Sequence, residues 1–208
     1  MIGAGSGALP RIIAEAAAAG GAPLAGYLNF GPPAQPATPL ECLGDERLLE
    51  DAGFLARFDL AVAVQGRDRR ALCQSLIQSG ARLPVVRHPT AVVSATAAIG
   101  AGTVLSAGVV VQSDARVGRF CVLNTACTID HDNEIGDYVS IGPGAHTAGR
   151  VTVLDGAFVG LGALIINGVK VGARATVGAG AVVVRDVEEG RTVVGNPARV
   201  LRAEPTSV

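Results

Sequence analysis

The sequence predicts two architectures in one chain, a small α/β unit over residues 1–86 and a parallel β-helix over 87–208. Three observations carry this. From Val93 to Val183, every sixth residue is Ile, Leu or Val, with Thr147 the one exception among 16 positions. The residue two before each is nearly always small, as at Ala91, Ala97, Thr103, Cys121, Cys127 and Ala181, and Asn133 is the poorly suited member. Before this run, apolar segments alternate with helical stretches, the pattern of a parallel sheet.

The six-residue period is not a by-product of composition, because Ile, Leu and Val fill only 29 of the 96 positions in 91–186. Residues two apart on a strand face the same side. Each hexad therefore sends one large and one small apolar side chain inward and then turns. The glycines that follow the large residue, as at Gly100, Gly118, Gly136, Gly142, Gly160, Gly172 and Gly178, are expected to ease that corner. Three short sides close an 18-residue coil. Successive coils stack at the strand spacing of about 4.8 Å, and backbone groups pair between them. Such a solenoid is stabilised coil on coil.

In the α/β unit, "MIGAGSG" reads as the tail of a strand followed by a glycine turn, so the first strand is expected to be truncated. A helix over 8–19 follows, then a strand over 23–28 and a Pro-rich loop over 31–39. A short helix (45–52), a buried strand (59–64) and a helix ended by Gly80 (68–80) complete it. Gly3-Ala4-Gly5-Ser6-Gly7-Ala8 fits G-x-G-x-x-G/A, where amides at a helix start meet a phosphate. The unit is thus Rossmann-like. Asn29-Phe30 stands where a dinucleotide site wants an acidic residue. Three readings remain: a dinucleotide, the diphosphate of a nucleotide sugar, or a tight turn with no ligand.

Composition narrows the function classes. The formal charge of −1 and the absence of clustered basic residues give no nucleic-acid footprint. The chain is 49% hydrophobic, yet no apolar run is long enough to span a membrane. Cys42, Cys73, Cys121 and Cys127 form no CxxC pair, so a reduced, cytoplasmic setting and a packing role are expected.

His131 stands in "LNTACTIDHDNEIG", between Asp130 and Asp132. In the hexad frame it comes two after Ile129, on the outward side near a corner. A histidine between carboxylates there is a general base, a metal ligand or a solvated residue. One coil further on, 18 residues away, is Gly149, which stacking places about 4.8 Å along the axis.

The repeat resembles the hexapeptide-repeat acyltransferases, and "VVGNPARVL" is similar to the segment that closes their helices. Through "GAGSGALPRIIAEAA", "HPTAVVS", "LNTACTIDHD", "GPGAHTAG", "GAFVGLGALI" and "VGAGAVVVRDV", nearly the whole chain resembles the NeuD/PglD-type sugar acetyltransferases of bacterial surface-glycan biosynthesis. That resemblance implies a left-handed β-helix, an exception to the usual crossover hand. It implies direct N-acetylation of a nucleotide-linked amino sugar by acetyl-CoA, without a metal, in a homotrimer with sites between subunits. His131 would be the general base, a role suited to an imidazole with an ordinary pKa of about 6.5. Asp132 would orient the ring, and Asn124 would position the sugar. Gly149 would offer its amide to the thioester carbonyl, with Ser140, Leu161 and Ala179 along the coenzyme A groove. Gly5, Ser6 and Gly7 would contact the nucleotide sugar, with Asn29, Phe30 and Gln65 nearby. The chain departs from the family where Ser6-Gly7 replaces Gly-His, where Asn29-Phe30 replaces Asp-Asp, and where Ser140 replaces a second histidine.

Three alternatives stand beside this reading: O-acetylation of a sialic-acid-like sugar, a non-catalytic scaffold that binds nucleotide sugars, and a zinc enzyme of the γ-carbonic anhydrase kind. The last is disfavoured because His131 and His146 are 15 apart, which is not a whole coil.

Overall fold

The computed structural model describes residues 9–29, 40–63 and 68–201. Two-residue strands recur every six residues from Val86 onward. Up to Val182–Val183 the parallel partners lie 18 residues apart, as Thr128 does from Val110 and His146, and the last coil is two residues shorter, with Thr176 paired to Thr192. The strands form three faces of a prism. The first face runs from Val86–Arg87 to Thr192–Val194, the second from Val92–Val93 to Val182–Val183, and the third from Ala98–Ile99 to Lys170–Val171. One strand, Arg199–Val200, turns back antiparallel on Thr192–Val194 and ends the stack.

The interior is the column of large and small apolar residues that the period predicts. Leu105, Leu123, Ile129, Ile141, Val153, Val159 and Val177 are fully buried. Thr147 is accommodated because its hydroxyl donates to the Thr128 carbonyl at 3.2 Å.

The glycines have a different reason from the expected one. None of Gly100, Gly118, Gly136, Gly142, Gly160, Gly172 or Gly178 has a positive φ. Their place is dictated by crowding between coils: a Cβ on Gly118 would lie 2.6 Å from the Gly136 carbonyl carbon, and one on Gly100 2.5 Å from that of Gly118. The left-handed residue of each corner comes two positions later, at intervals of six from Gly102 to Gly180. Asp114, Phe120, Asp132 and Tyr138 are among the side chains that accept this conformation. The positive φ of Asp132 is therefore coil geometry and not strain peculiar to a site.

In the N-terminal unit, α1 (Leu9–Ala19) is followed by β1 (Tyr27–Asn29), shorter than the strand expected over 23–28. β2 (Cys42–Asp45) pairs in parallel with β1. It was not predicted, because "CLGD" shows no alternation. The helix expected over 45–52 divides into a 3₁₀ turn, Glu46–Glu50, and α2, Ala52–Arg57. Two aspartates cause the division. Asp45 accepts from the Arg47 N–H, and Asp51 from the Gly53 and Phe54 N–H groups, so each caps its own start. Leu60–Ala63, in the strand expected over 59–64, is buried but forms no strand among the described residues, and α3 spans Asp68–Gln78.

This unit sits on the lower coils of the first face. Val86, Val104 and Val122 point outward from the prism, yet they are buried against Leu9, Ile13, Ala16 and Ala17. Each aliphatic side chain so buried contributes about 1.5–3 kcal/mol. Val86–Arg87 already pairs with Val104–Leu105, so the first coil strand straddles the 86/87 boundary. Higher on the same face, Phe158 is exposed. The third face is polar, with Arg116 and Glu134 paired at 3.4 Å. The second face is largely apolar and uncovered by the described residues, with Val92 and Leu164 exposed.

Candidate active site

His131 lies at the edge between the second and third faces, in the corner from Thr128–Ile129 to Glu134–Ile135. Its Nδ1 is 2.8 Å from Asp132 Oδ2. An ionised carboxylate only accepts, so Nδ1 carries the proton of the neutral ring and Nε2 keeps its lone pair. The ring is half exposed. It lies across Gly149, where a Cβ would run into Nε2 and come within 2.5 Å of Cε1. Gly149 is thus held to a hydrogen by the imidazole one coil below.

The backbone there is arranged asymmetrically. At His131 the N–H is taken up by the side chain of Asp130, at 2.7 Å. One coil up, the equivalent N–H of Gly149 follows Ala148, whose side chain has no acceptor. Among the described residues it donates to none. The Ala148 carbonyl points into the prism, where it accepts from Asn133 Nδ2 at 2.8 Å. In a trans peptide the N–H points opposite to the C=O, so the Gly149 N–H faces outward, on the side of the ring. A lone pair and a free amide one rung apart suit the removal of a proton from a nucleophile and the stabilisation of an oxyanion.

Two residues matter here that the sequence reading undervalued. Asp130, to which the sequence assigns no role, caps the His131 N–H. Asn133, the misfit of the small column, is fully buried and donates to three carbonyls. Its signal was the break in the column itself.

The other expected residues lie elsewhere on the chain. Asn124, Leu161 and Ala179 share the opposite edge, between the first and second faces, and Ser140 stands on the first face beside it. Asn124 donates to the Ile141 carbonyl at 3.0 Å, and Leu161 is exposed. The width of the second face separates this group from His131, Asp132 and Gly149. Gly5, Ser6, Gly7, Phe30 and Gln65 lie outside the described residues, and Asn29 ends β1. Two cavities, of about 1060 and 430 Å³, lie in the N-terminal unit, and neither is lined by His131.

The three histidines go separate ways: His88 Nδ1 is 2.8 Å from Thr90 Oγ1, and His146 Nδ1 is 2.9 Å from Thr128 Oγ1. No group of three or more His, Cys, Asp or Glu among the described residues could hold a metal ion. No described helix is long and apolar enough to cross a membrane.

No family model and no curated protein matches the chain. Solved structures do. PerB from Caulobacter crescentus, in complex with CoA and GDP-perosamine, is 33% identical over 97% of this chain and 95% of its own, with a TM-score of 0.86. The acetyltransferase domain of PglB from Neisseria gonorrhoeae, in complex with acetyl coenzyme A, is 37% identical over 96% and 97%, with a TM-score of 0.87. WeeI from Acinetobacter baumannii is 26% identical over 96% and 98%, with a TM-score of 0.82. With its left-handed parallel β-helix behind a small α/β unit, this chain belongs to the hexapeptide-repeat sugar acetyltransferases of the NeuD/PglD type and is an acyltransferase.

Proposed function

We propose that the protein moves an acetyl group from acetyl-CoA to the amino group of a nucleotide-linked amino sugar, with His131 as general base. One observation carries the chemistry: the ring of His131 lies across Gly149, with Nδ1 held by Asp132 and the Gly149 N–H unspent. The similarity to PerB, solved with CoA and GDP-perosamine, supports both the donor and an amino-sugar acceptor over a hydroxyl one.

In this reading His131 Nε2 takes a proton from the amine as its nitrogen bonds to the thioester carbonyl carbon. The Gly149 N–H receives the charge that develops on the carbonyl oxygen. Asp132 holds the imidazolium while it carries the proton. Cleavage of the C–S bond releases the coenzyme A thiolate, and His131 returns the proton to that sulfur. Gly5, Ser6, Gly7, Asn29, Phe30 and Gln65 are assigned to the nucleotide sugar, and Asn124 to its sugar ring.

A homotrimer completes the site. One prism carries His131 and Gly149 on one edge of its second face, and Ser140, Leu161 and Ala179 at the other. Three prisms with their second faces toward a common axis set one edge of each against the opposite edge of the next, and the coenzyme A groove lies between them. The exposed Val92, Leu164 and Ile166 are the surface that this assembly covers.

The test is a panel of nucleotide-linked amino sugars and free sialic acids with acetyl-CoA, followed by thiol release. Thiol release with a nucleotide-linked amino sugar is expected. Acetyl-CoA binding without thiol release from any member would overturn the reading.

A further inference from the structure

We propose that Asn133 is a positioning residue that sets the geometry between the base at His131 and the amide at Gly149; this rests on the roles proposed for those two residues. Asn133 lies wholly inside the apolar prism. Its Nδ2 donates to the carbonyls of Asp130 at 2.7 Å and Ala148 at 2.8 Å, with His131 O further off at 3.3 Å. All three partners accept, so the amide cannot be turned the other way. One hydrogen goes to the coil that holds the base, and the other to the coil that holds the glycine.

The two main bonds fall on telling peptides. Asp130 C=O and His131 N–H belong to one planar unit, and Ala148 C=O and Gly149 N–H to the next one up. Drawing both carbonyls inward turns both N–H groups outward. The first outward N–H is spent on the Asp130 side chain. The second is the one left for an oxyanion. A single buried amide thus fixes where the free N–H points and how the corner beneath the imidazole is held.

The arrangement carries a cost that an apolar residue would avoid. Asn133 Oδ1 is buried and has no partner among the described residues. Thr103 shows what the coil alone requires. At the same inward position of a different edge, its hydroxyl donates to Gly118 O at 2.8 Å, also 15 residues on, but it bridges no second carbonyl. A polar core residue kept at a cost, at the corner beneath the candidate base, is where local rules yield to function. Thr147 reinforces the same corner by accepting from the Asp130 N–H at 3.3 Å.

The experiment compares Asn133→Leu, which keeps size and removes both donations, with Thr103→Val as a control for loss of two buried hydrogen bonds, to Gly118 O and from the Cys121 N–H. In Asn133→Leu, kcat is expected to fall about 10- to 100-fold, with KM for both substrates within about twofold. Thr103→Val is expected to lower Tm and leave kcat at the wild-type value. Should Asn133→Leu not fold, Asn133→Ser, which can donate to only one carbonyl, is expected to show the same split. The ¹⁵N spectrum of the free protein supplies a readout without turnover: the Gly149 amide is expected to shift in the Asn133 variants and stay in place in Thr103→Val. A wild-type kcat in the folded Asn133 variant, while His131→Ala is inactive, overturns this inference alone. Full activity in His131→Ala overturns the reading on which it rests.

Discussion

The imidazole of His131 lies across the Cα of Gly149, so that an added methyl group at that position would collide with the ring. Gly149 does not have a positive φ, and alanine suits its backbone. Gly149→Ala is therefore expected to displace the ring without unfolding the coil. A fall in kcat of about 100-fold, with Tm within a few degrees of wild type, is the outcome that a melt and a thiol-release assay would record.

His131→Ala removes the proposed base and leaves the coil intact. The expected loss in kcat is about 10²- to 10⁴-fold, the range of general-base catalysis, with little change in KM for acetyl-CoA. A variant that kept half its activity would assign the proton to another group or to water.

Asp132→Asn keeps an oxygen within reach of Nδ1 and removes the charge. The ring stays oriented, while the imidazolium formed during transfer loses its counter-ion. A drop in kcat is expected, no larger than for His131→Ala, and steady-state kinetics of the two variants side by side would show the order.

Much of this was written in the period of six. The inward column, the faces and the rung shared by His131 and Gly149 all follow from spacing, because each coil repeats the last without insertion. The edge that separates Leu161 and Ala179 from His131 follows as well, since neither lies a whole number of coils away. The capping at Asp45 and Asp51 was not legible, because it rests on which of several short polar residues meets a free N–H, and the strand at Cys42–Asp45 was not because it shows no alternation. Asn133 was visible only as an anomaly: a single residue type does not say which carbonyls its amide will reach.

Asp137 links the fold to pH. Partial burial pushes its carboxyl up, but the Arg119 guanidinium and backbone N–H, with the charges of Arg119 and Arg70, outweigh this and hold it below the ordinary carboxylate range. A group whose pKa is lowered on folding stabilises above its unfolded value, near 4, and loses that contribution as pH falls through the folded one. Asp137→Asn is expected to cost about 1–2 kcal/mol in urea melts at pH 7, a difference that closes below about pH 4.

The cysteines give a chemical check on the packing. Burial pushes the Cys73 thiol up to about 11 and those of Cys121 and Cys127 to about 12, and all three are enclosed. Cys42 is exposed. Alkylation of the native protein at neutral pH is expected to add one label per chain, at Cys42, and four after denaturation, as intact-mass spectrometry would count.

The unbroken register from Val86 to Val183 also makes the height of these coils quantised. A single residue added between two rungs would rotate every later side chain off its face, whereas eighteen would lengthen the column by one storey. Added above the glycine rung, such a storey would leave His131 and Gly149 as neighbours and move only the coils above them. Whole-coil insertions can therefore change the height of this scaffold without touching the pair formed by His131 and Gly149.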